Sequence, residues 1–421
     1  MAKRVTSTVD PRLRFPEFRT AAGWHEAELR QFLKISATYG IVTAGEFQSV
    51  GIPMIRGGDI KDGQVGDGLP LVSAEVHSQY KRTTLRTNDI VIALVGYPGE
   101  AAVVPKRYIG ANISRAVGLL RITDSIDSSY LTAYLNSSFG RATVLKPSAG
   151  SAQIVVNLKY LNVISIPVPA KAEQKKIADC LTSLDEVIAA QGRKVEALKT
   201  HKRGLMQQLF PREGETRPRL RFPEFRNVPE WRKVSIGDIG EVITGNTPAT
   251  AQQEYYGGDR PFVSPADISD RRFVETTKTT LSEAGFHKSR SIRAMSVLFV
   301  CIGSTIGKVA QNTRECATNQ QINAVVANSA FSSDFVYYLL HMEAVRIARL
   351  AGRQAVPIIN KSLFSAVKVA APRREEQQRI ADCLSSLDTQ IIAESNQLAV
   401  LKTHKQALMQ QLFPVPEGIG A

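Results

Sequence analysis

Two long stretches of the chain carry apolar residues at alternating steps of four and three. Eight of the ten such positions are apolar between Glu173 and Pro211, and again between Glu376 and Pro414. The polar exceptions fall at the same two steps in both stretches. This spacing is typical of a coiled-coil seam. The apolar seam residues are Ile177, Leu181, Leu184, Ile188, Val195, Leu198, Leu205 and Leu209 in the first stretch and Ile380, Leu384, Leu387, Ile391, Leu398, Leu401, Leu408 and Leu412 in the second.

Each stretch predicts one uninterrupted helix. Neither contains an internal proline, and Pro211 and Pro414 mark the ends. A helix of about 37 residues is roughly 55 Å long, and its narrow apolar stripe needs a partner helix. The two helices are partners for each other, and a pseudo-two-fold arrangement would make them antiparallel. An intermolecular coiled coil in a homodimer is the alternative.

The two helices belong to a duplicated unit. The blocks EQ, IADCL, SLD, LKTHK and LMQQLFP return in the same order without a gap, so that LMQQLFP stands at 205–211 and at 408–414. A second motif, PRLRFPEFR, occurs at 11–19 and 218–226, and a tryptophan follows each copy at the same offset. Such a repeat indicates a chain built from two like halves.

The segments between these repeats read as mixed α/β domains that share a skeleton. Apolar runs such as IVIALVG and SVLFVCIG predict strands, RGGDIKDG predicts a turn, and SSYLTAYLNSSFGRA and SDFVYYLLHMEAVRIA predict one helix each. GIPMIRGGDI at 51–60 aligns with DRPFVSPADI at 259–268, and GSAQIVVN at 150–157 aligns with GRQAVPIIN at 352–360. The two segments differ almost everywhere else. Near-identical helices and divergent domains favour two binding modules with different targets.

The chain therefore divides into seven predicted segments. These are an N-terminal framing segment (1–23), a first α/β domain (24–171), a central helix (172–211), a linker with the repeated framing segment (212–230), a second α/β domain (231–374), a C-terminal helix (375–414) and a tail (415–421).

Composition and charge narrow the functional classes. The 421 residues are 43% hydrophobic, which is typical of a globular protein with more than one domain. No apolar run approaches the ~20 residues that span a bilayer, and the N-terminus has no secretory signal, so we expect a cytoplasmic protein without a membrane partner. The net charge of +14 favours a polyanionic partner.

The search for catalytic chemistry gives no constellation. GSTIGKVA at 303–310 has three residues between its glycines and Val309 after its lysine, whereas a phosphate loop needs four and a Ser or Thr. A glycine-rich turn after a strand is the expected structure. The four cysteines contain no CxxC pair and the six histidines are scattered, so no metal site is predicted. We interpret the chain as a binding protein.

The order of these motifs resembles the specificity subunit of type I restriction–modification enzymes. RLRFPEFR, a divergent domain that ends in GSAQ and IPVPAKAEQ, and then IADCLTSLD, LKTHK and LMQQLFP occur in this order and then recur. The resemblance covers nearly the whole chain, although VKVAAPRREEQ and GRQAVPIIN depart from the pattern in the second copy. It implies two target recognition domains, related by a pseudo-two-fold axis and joined by an intramolecular antiparallel coiled coil.

The resemblance also implies partners and cofactors. Two modification subunits would dock on the helices and use S-adenosylmethionine to methylate one adenine in each half-site. Two motor-nuclease subunits would use ATP and Mg²⁺. The chain itself would be non-catalytic and would bind no cofactor. An inverted pair of unlike domains predicts a bipartite, asymmetric DNA target whose gap follows the length of the helices.

Candidate DNA contacts follow from residue chemistry. Arg and Lys suit guanine, Asn and Gln suit adenine, and any exposed cation suits phosphate. In the first domain the candidates are Arg56, Lys61, Lys81, Arg82, Arg86, Tyr97 and Arg115. In the second they are Arg271, Arg272, Lys278, Lys288, Arg290, Arg293, Lys308, Asn319, Gln320 and Gln321.

Two rival hypotheses stay open at this point. A fused modification enzyme with unrecognised motifs would bind S-adenosylmethionine or ATP by itself. A coiled-coil scaffold would bind no specific DNA sequence, although the uneven divergence of the two halves weighs against it.

Overall fold

The fold consists of two units, each with one α/β domain. The computed structural model describes residues 8–148, 154–352 and 356–415. The first unit comprises Met1–Gly192 with Asn396–Ala421, and the second comprises Arg193–Ser395. Each long helix therefore begins in one unit and ends in the other.

The first unit contains a central four-stranded antiparallel sheet in the order β3-β11-β8-β9 and two three-stranded sheets, β1-β2-β12 and β10-β4-β7. The strands are β1 Thr8–Val9, β2 Trp24–Glu28, β3 Thr38–Tyr39, β4 Ile52–Ile55, β5 Ile60–Lys61, β6 Gln64–Val65, β7 Leu71–Val72, β8 Ile90–Ala93, β9 Ala101–Val103, β10 Asn112–Ile113, β11 Val117–Leu120 and β12 Ser165–Val168. The helices are α1 Ala74–Gln79, α2 Ser128–Asn136, α3 Ser138–Leu145, α4 Leu158–Val163 and α5 Lys171–Leu209.

The second unit repeats this plan with a five-stranded sheet, β14-β21-β18-β19-β16, beside β17-β15-β20 and β13-β22. The strands are β13 Arg232–Ser235, β14 Gly240–Thr244, β15 Tyr256–Val263, β16 Phe273–Val274, β17 Thr279–Leu281, β18 Val297–Val300, β19 Val309–Asn312, β20 Ala317–Thr318, β21 Ile322–Ala327 and β22 Lys368–Ala371. The helices are α6 Ile236–Ile239, α7 Glu283–His287, α8 Ser333–Ala348, α9 Lys361–Ala366 and α10 Arg374–Leu412.

Several predicted elements are present, and one is corrected. IVIALVG and SVLFVCIG contain β8 and β18, whose residues are all buried. The first predicted domain helix is two helices, α2 and α3, because Ser137 adopts an extended conformation between them. The Ser137 hydroxyl caps α3 by accepting a hydrogen bond from the Gly140 amide at 3.0 Å. Residues 150–153 of the GSAQ motif and 353–355 of GRQAVPIIN lie outside the described residues.

The phenylalanine of LMQQLFP enters the domain core at the end of each long helix. Phe413, after α10, lies 5.8 Å from the Tyr130 ring in the first unit. Phe210, after α5, lies 5.6 Å from the Phe335 ring in the second unit. Each helix thus begins in one unit and ends in the core of the other, which explains why the motif is written twice.

The framing motif PRLRFPEFR holds the start of each long helix. The Arg14 guanidinium donates two hydrogen bonds of 2.8 Å to the buried Glu173 carboxylate. Arg221 does the same to Glu376 at 2.7 and 2.6 Å, and the Trp231 indole adds a third donor at 3.3 Å. Hydrogen bonding to the carboxylate raises the pKa of both arginines above the ordinary value. We call these two pairs the buried clamps.

The glutamine of the EQ block joins the helix to its domain. The Gln174 side-chain oxygen accepts from the Asp127 amide at 2.8 Å, next to the start of α2. The Gln377 oxygen accepts from the Ser332 amide at 2.9 Å, next to the start of α8. The two-residue block therefore fastens the helix both to the framing segment and to the domain.

Within each unit the two helix segments run in opposite directions. In the first unit Ile177 and Leu181 share a core with Met409 and Leu412. In the second unit the end of α5 shares a core with the beginning of α10. All sixteen predicted seam residues are buried or partly buried.

The lysines at the polar seam steps form ion pairs. Lys405 pairs with Asp185 at 2.5 Å in the first unit, and Lys202 pairs with Asp388 in the second. The ion pair explains why each helix has a lysine instead of an apolar residue at this step of the seam.

Candidate nucleic-acid interface

Each domain holds a short loop between the same two strands. Ile113 lies opposite Ile55 in a parallel pair, and Thr318 lies opposite Val263 in the equivalent pair. The residue after the strand donates its amide to the partner strand, Ser114 to Ile55 at 2.9 Å and Asn319 to Val263 at 3.1 Å. We call residues 114–116 and 319–321 the anchored loops.

The far side of each anchored loop is fixed as well. The Ala116 carbonyl accepts from the Leu94 amide at 2.8 Å, and the Gln321 carbonyl accepts from the Cys301 amide at 2.7 Å. Both loops are therefore held by main-chain hydrogen bonds on either side of their middle residue, which is Arg115 or Gln320. Both middle residues are exposed.

A third segment passes against each anchored loop at a glycine. A Cβ on Gly40 would lie 1.9 Å from the Ile113 carbonyl oxygen, and one on Gly245 would lie 2.2 Å from the Thr318 oxygen. Only glycine permits this approach of two main chains. Two residues later, the Thr247 hydroxyl contacts the middle residue Gln320, and Val42 occupies the equivalent position in the first domain.

The first domain brings together four predicted DNA contacts. A Cβ on Gly57 would lie 2.0 Å from the Val95 oxygen and 3.2 Å from the Ala116 oxygen, so the segments that carry Arg56, Tyr97 and Arg115 are in contact. The Lys61 ammonium lies 5.9 Å from the centre of the Tyr97 ring. This group combines cations with an exposed aromatic ring, which suits a nucleic acid.

The Asp59 carboxylate orders part of this surface. It accepts from the Arg56 side chain at 3.0 and 2.9 Å and from the Arg56 amide at 2.8 Å. Its counterpart in the shared DI motif, Asp267, accepts from the Ser264 amide and hydroxyl at 2.8 and 2.6 Å. The aspartate of the repeated motif thus has a structural role in both domains.

The other three candidates of the first domain form a separate group. Lys81, Arg82 and Arg86 are exposed, and the main chain of the last two contacts the buried ion pair between Arg121 and Asp89. The Arg121 side chain donates to the Arg82 carbonyl, and the Arg86 amide donates to Asp89 at 2.8 Å.

The second domain gathers polar side chains around its anchored loop. The Thr247 hydroxyl donates to the Gln320 side-chain oxygen at 2.7 Å. Arg290 donates from its amide to the Asn246 side chain at 2.8 Å, and Asn246 donates to the Lys288 carbonyl at 2.9 Å. Lys288, Arg290 and Gln320 thus belong to one connected surface.

Sequence reasoning missed the segment that carries Asn246 and Thr247. A weak sequence signal for this segment exists. TYG at 38–40 and ITG at 243–245 end in the glycines that lie against the two anchored loops. Two stretches this short, which share little more than a glycine, are too weak a pattern to predict that their positions are equivalent.

Among the remaining candidates of the second domain, Arg271, Lys278, Arg293 and Lys308 are exposed, whereas Asn319 and Gln321 are partly buried. The Lys308 ammonium donates to the Ile268 carbonyl at 2.8 Å, and the Arg293 side chain donates to the Ala327 carbonyl at 3.2 Å. The Asn319 side chain donates to Gln321 at 2.9 Å. Arg271 and Lys278 flank β16 on the surface.

Gly303 and Gly307 form the turn between β18 and β19. Both glycines have φ of 93°, a conformation that favours glycine. This agrees with the expected glycine-rich turn after a strand.

Arg272 is corrected by the structure. It is buried, and its guanidinium donates to Gln311 at 2.6 Å, to Tyr338 at 3.1 Å, to Ser385 at 2.8 Å and to Asp334. Four of its five N–H donors are engaged and the side chain is buried, so Arg272 is not presented to a base and instead joins the domain to α8 and α10. A sequence cannot distinguish such an arginine from the exposed Arg271 beside it.

The described part of the chain gives little evidence for a metal site, a reactive cysteine or a membrane-spanning helix. No group of three or more His, Cys, Asp or Glu side chains there is arranged to hold a metal ion. The four cysteines are unpaired, and burial raises the pKa of both Cys301 and Cys316 to about 12. Among the described helices, none combines the length and apolar character that crossing a bilayer requires.

Comparison with known proteins adds the family. The family model described as "Type I restriction modification DNA specificity domain" matches residues 22–200 and 229–403. A putative MjaX specificity subunit from Methanocaldococcus jannaschii is 22% identical over 93% of this chain and 92% of its own length. The EcoBI specificity subunit from Escherichia coli is 34% identical over 59% of this chain and 51% of its own length.

Other relatives are matched over a shorter length. The chain spans 32% of the HindI specificity subunit of Haemophilus influenzae, at 31% identity over 34% of this chain, and 44% of the MjaIX specificity subunit of M. jannaschii.

Solved structures share the fold at low identity. A chain from work on complex assembly and conformational transition of the type I R-M system has a TM-score of 0.59 and 20% identity, and the match covers 93% of this chain and 98% of that one. The type I restriction–modification S subunit from M. genitalium has a TM-score of 0.58 and 15% identity, with 96% and 99% coverage.

Proposed function

The chain belongs to the family of type I restriction–modification DNA specificity domains, and we propose that it is the subunit that selects the DNA target of such a system. Each α/β domain reads one half of a bipartite, asymmetric site. The observation that carries this proposal is the pair of anchored loops. Their main-chain geometry is the same in both domains, whereas the side chains around them differ.

Charge supports DNA as the ligand. The net charge is +14, and exposed cations surround both anchored loops, Arg56 and Lys61 in one domain and Lys288 and Arg290 in the other. Contacts to phosphate supply affinity, whereas side chains that reach base edges supply specificity. A positively charged rim around differing central residues suits this division of roles.

The two long helices form an intramolecular antiparallel coiled coil that sets the gap between the half-sites. The opposed contacts inside each unit and the seam ion pairs support the coiled coil. Each helix has 39 residues, which corresponds to about 58 Å. A rigid element of constant length restricts the distance at which two half-sites are read together.

Chemistry is supplied by partners. Two modification subunits dock on the helices, carry S-adenosylmethionine and methylate one adenine in each half-site. Two motor-nuclease subunits that use ATP and Mg²⁺ complete the restriction form. The likeness to a chain from an assembled type I R-M system supports these partners. The chain itself is a non-catalytic recognition subunit.

The methylome tests the proposed function. Cells that express this chain with its neighbouring modification subunit are compared, by single-molecule sequencing, with cells that lack only this chain. We expect a gapped, two-part N6-methyladenine motif that disappears with the chain. If purified complex neither methylates nor specifically binds DNA, the proposal is wrong.

A helix-length variant tests the spacing role. One heptad is inserted in each long helix, close to Gly192 and to Ser395, so that the seam stays in register. The added ~10.5 Å corresponds to roughly three base pairs. We expect both half-sites to persist with a longer gap. The old gap with intact half-sites would contradict the spacing role.

A further inference from the structure

The equivalent residues Arg115 and Gln320 are the sharpest candidates for base recognition. We propose that Arg115 reads a guanine in one half-site and that Gln320 reads an adenine in the other. This inference rests on the proposed function and adds the residues that determine specificity at one base pair in each half.

The two residues occupy the same position in the two domains. Each is the middle residue of an anchored loop, flanked by one residue that donates to the partner strand and one that accepts from the neighbouring loop. These four hydrogen bonds measure between 2.7 and 3.1 Å. Main-chain anchors on both sides limit the movement of the middle residue, so its side chain is presented in a defined place.

The chemistry of the two side chains matches different bases. Arginine can donate two hydrogen bonds to O6 and N7 of guanine, whereas glutamine can pair with N6 and N7 of adenine. Both side chains are exposed. The two domains therefore share the geometry of the anchored loop, and the identity of its middle residue selects the base.

Arg115 is better suited than the neighbouring arginines of its domain. Its guanidinium has no hydrogen-bond partner among the described residues, so the whole fork is available to a base. The Arg56 fork, in contrast, is engaged by the Asp59 carboxylate. Arg121 is buried against Asp89. Arg56 can still contact phosphate through its charge, whereas Arg115 can donate two hydrogen bonds to a base edge.

Gln320 is oriented by its neighbour. The Thr247 hydroxyl donates to its side-chain oxygen at 2.7 Å, which leaves the amide hydrogens and the second lone pair of the oxygen for a ligand. In the first domain the residue at the equivalent position is Val42, which is exposed and has no hydroxyl to orient a polar side chain. The two domains thus differ in the middle residue and in its support.

The test measures which base pairs become ambiguous. Arg115→Ala and Gln320→Ala are introduced separately into the full chain, which is expressed with its modification subunit, and the methylome is compared with that of the unchanged chain. We expect Arg115→Ala to reduce discrimination at one G·C pair of one half-site by about 5- to 150-fold. Gln320→Ala is expected to do the same at one A·T pair of the other half-site.

Each variant is the control for the other, because the half-site that it does not contact must stay unchanged. Arg115→Lys adds a second control, since lysine keeps the charge and loses the fork. We expect that variant to methylate DNA with relaxed specificity at the same G·C pair.

Three outcomes would overturn the inference while the proposed function stands. These are an unchanged motif in both alanine variants, relaxation of the same half-site by both, and full specificity of Arg115→Lys. A two-part motif that never depends on this chain would instead refute the proposed function itself.

Discussion

The two units attach their domains to the long helices in different ways. In the second unit Arg272 reaches from the domain to Tyr338 and Ser385, and the Tyr338 hydroxyl donates to Asp388 at 2.6 Å. The Lys202 ammonium pairs with Asp388 and lies 5.2 Å from the centre of the Tyr338 ring. A connected polar network therefore fills the space between domain and helices.

The first unit leaves a cleft at the corresponding place. The cleft has a volume of about 710 Å³ and lies between the domain, at Gln64 and Arg141, and the helices, at Asp185 and Lys405. Asp185 and Lys405 are the repeat counterparts of Asp388 and Lys202. Both units thus have the helix ion pair, and among the described residues the domain contributes a tyrosine to this pair in the second unit.

The domains are thus attached to the long helices by two kinds of contact. The arginine–glutamate pairs of the buried clamps and the contacts of the EQ block occur in both units, although only the second clamp has the added Trp231 donor, and they join each domain to the helices. The Arg272 network belongs to the second unit. We expect the shared contacts to dominate the stability of both units and the added contacts to stabilise the second unit alone.

The largest expected effect is the loss of a buried clamp. Arg221→Ala leaves the Glu376 carboxylate buried without its cation, which is expected to lower the free energy of unfolding of the second unit by about 3–5 kcal/mol. The chain has two tryptophans, so in a Trp24→Phe background the fluorescence of Trp231 reports on this unit during urea unfolding.

The matched control for the clamp is Arg379→Ala. Arg379 forms an exposed ion pair with Glu224 at 3.3 Å, and such pairs contribute less than about 1 kcal/mol. Equal effects of the two substitutions would show that the clamp has no special role.

A smaller effect is expected from the Arg272 network. Arg272→Met removes hydrogen bonds to four side chains, but Asp334 is partly exposed and can be hydrated. We expect the second unit to lose about 2–3 kcal/mol, measured by the fluorescence of Trp231. Gln64→Met, in the cleft of the first unit, should change stability by less than about 0.5 kcal/mol. A substantial loss in the first unit would contradict the comparison.

The smallest effect concerns the two seam ion pairs. Lys202 is partly buried against Tyr338, whereas Asp185, the partner of Lys405, has a side chain that is 41% exposed. Double-mutant cycles with Lys202→Met and Asp388→Asn, and with Lys405→Met and Asp185→Asn, measure the coupling energies. We expect about 1–2 kcal/mol for the first pair and less than about 1 kcal/mol for the second. Equal coupling would mean that Tyr338 does not strengthen the pair.

The sequence predicted the repeated parts well, because their physics is local. The heptad spacing predicted α5 and α10, and the prolines predicted their ends within a few residues. The strands β8 and β18 follow from uninterrupted apolar runs. The break at Ser137 was missed because a capping serine inside a helical pattern does not reveal whether the chain bends there.

The candidate interface was predicted only in part. Residue chemistry selected Arg115 and Gln320, but it also selected Arg272, whose burial depends on segments distant in sequence. Asn246 and Thr247 were missed because their position is defined by the close approach of Gly245 to the anchored loop. The role of all these residues in DNA binding is a prediction that the methylome experiments test.

By itself, the sequence determined that the chain has two like halves, two long helices of matching seam and two domains with different surfaces. Periodicity and repetition are properties of neighbouring residues, so they can be read along the chain. Only the tertiary structure decided which arginine is buried and which is exposed, and that the middle residues of the two anchored loops are equivalent. Those properties depend on main-chain hydrogen bonds and packing between segments far apart in sequence, and no local pattern encodes them.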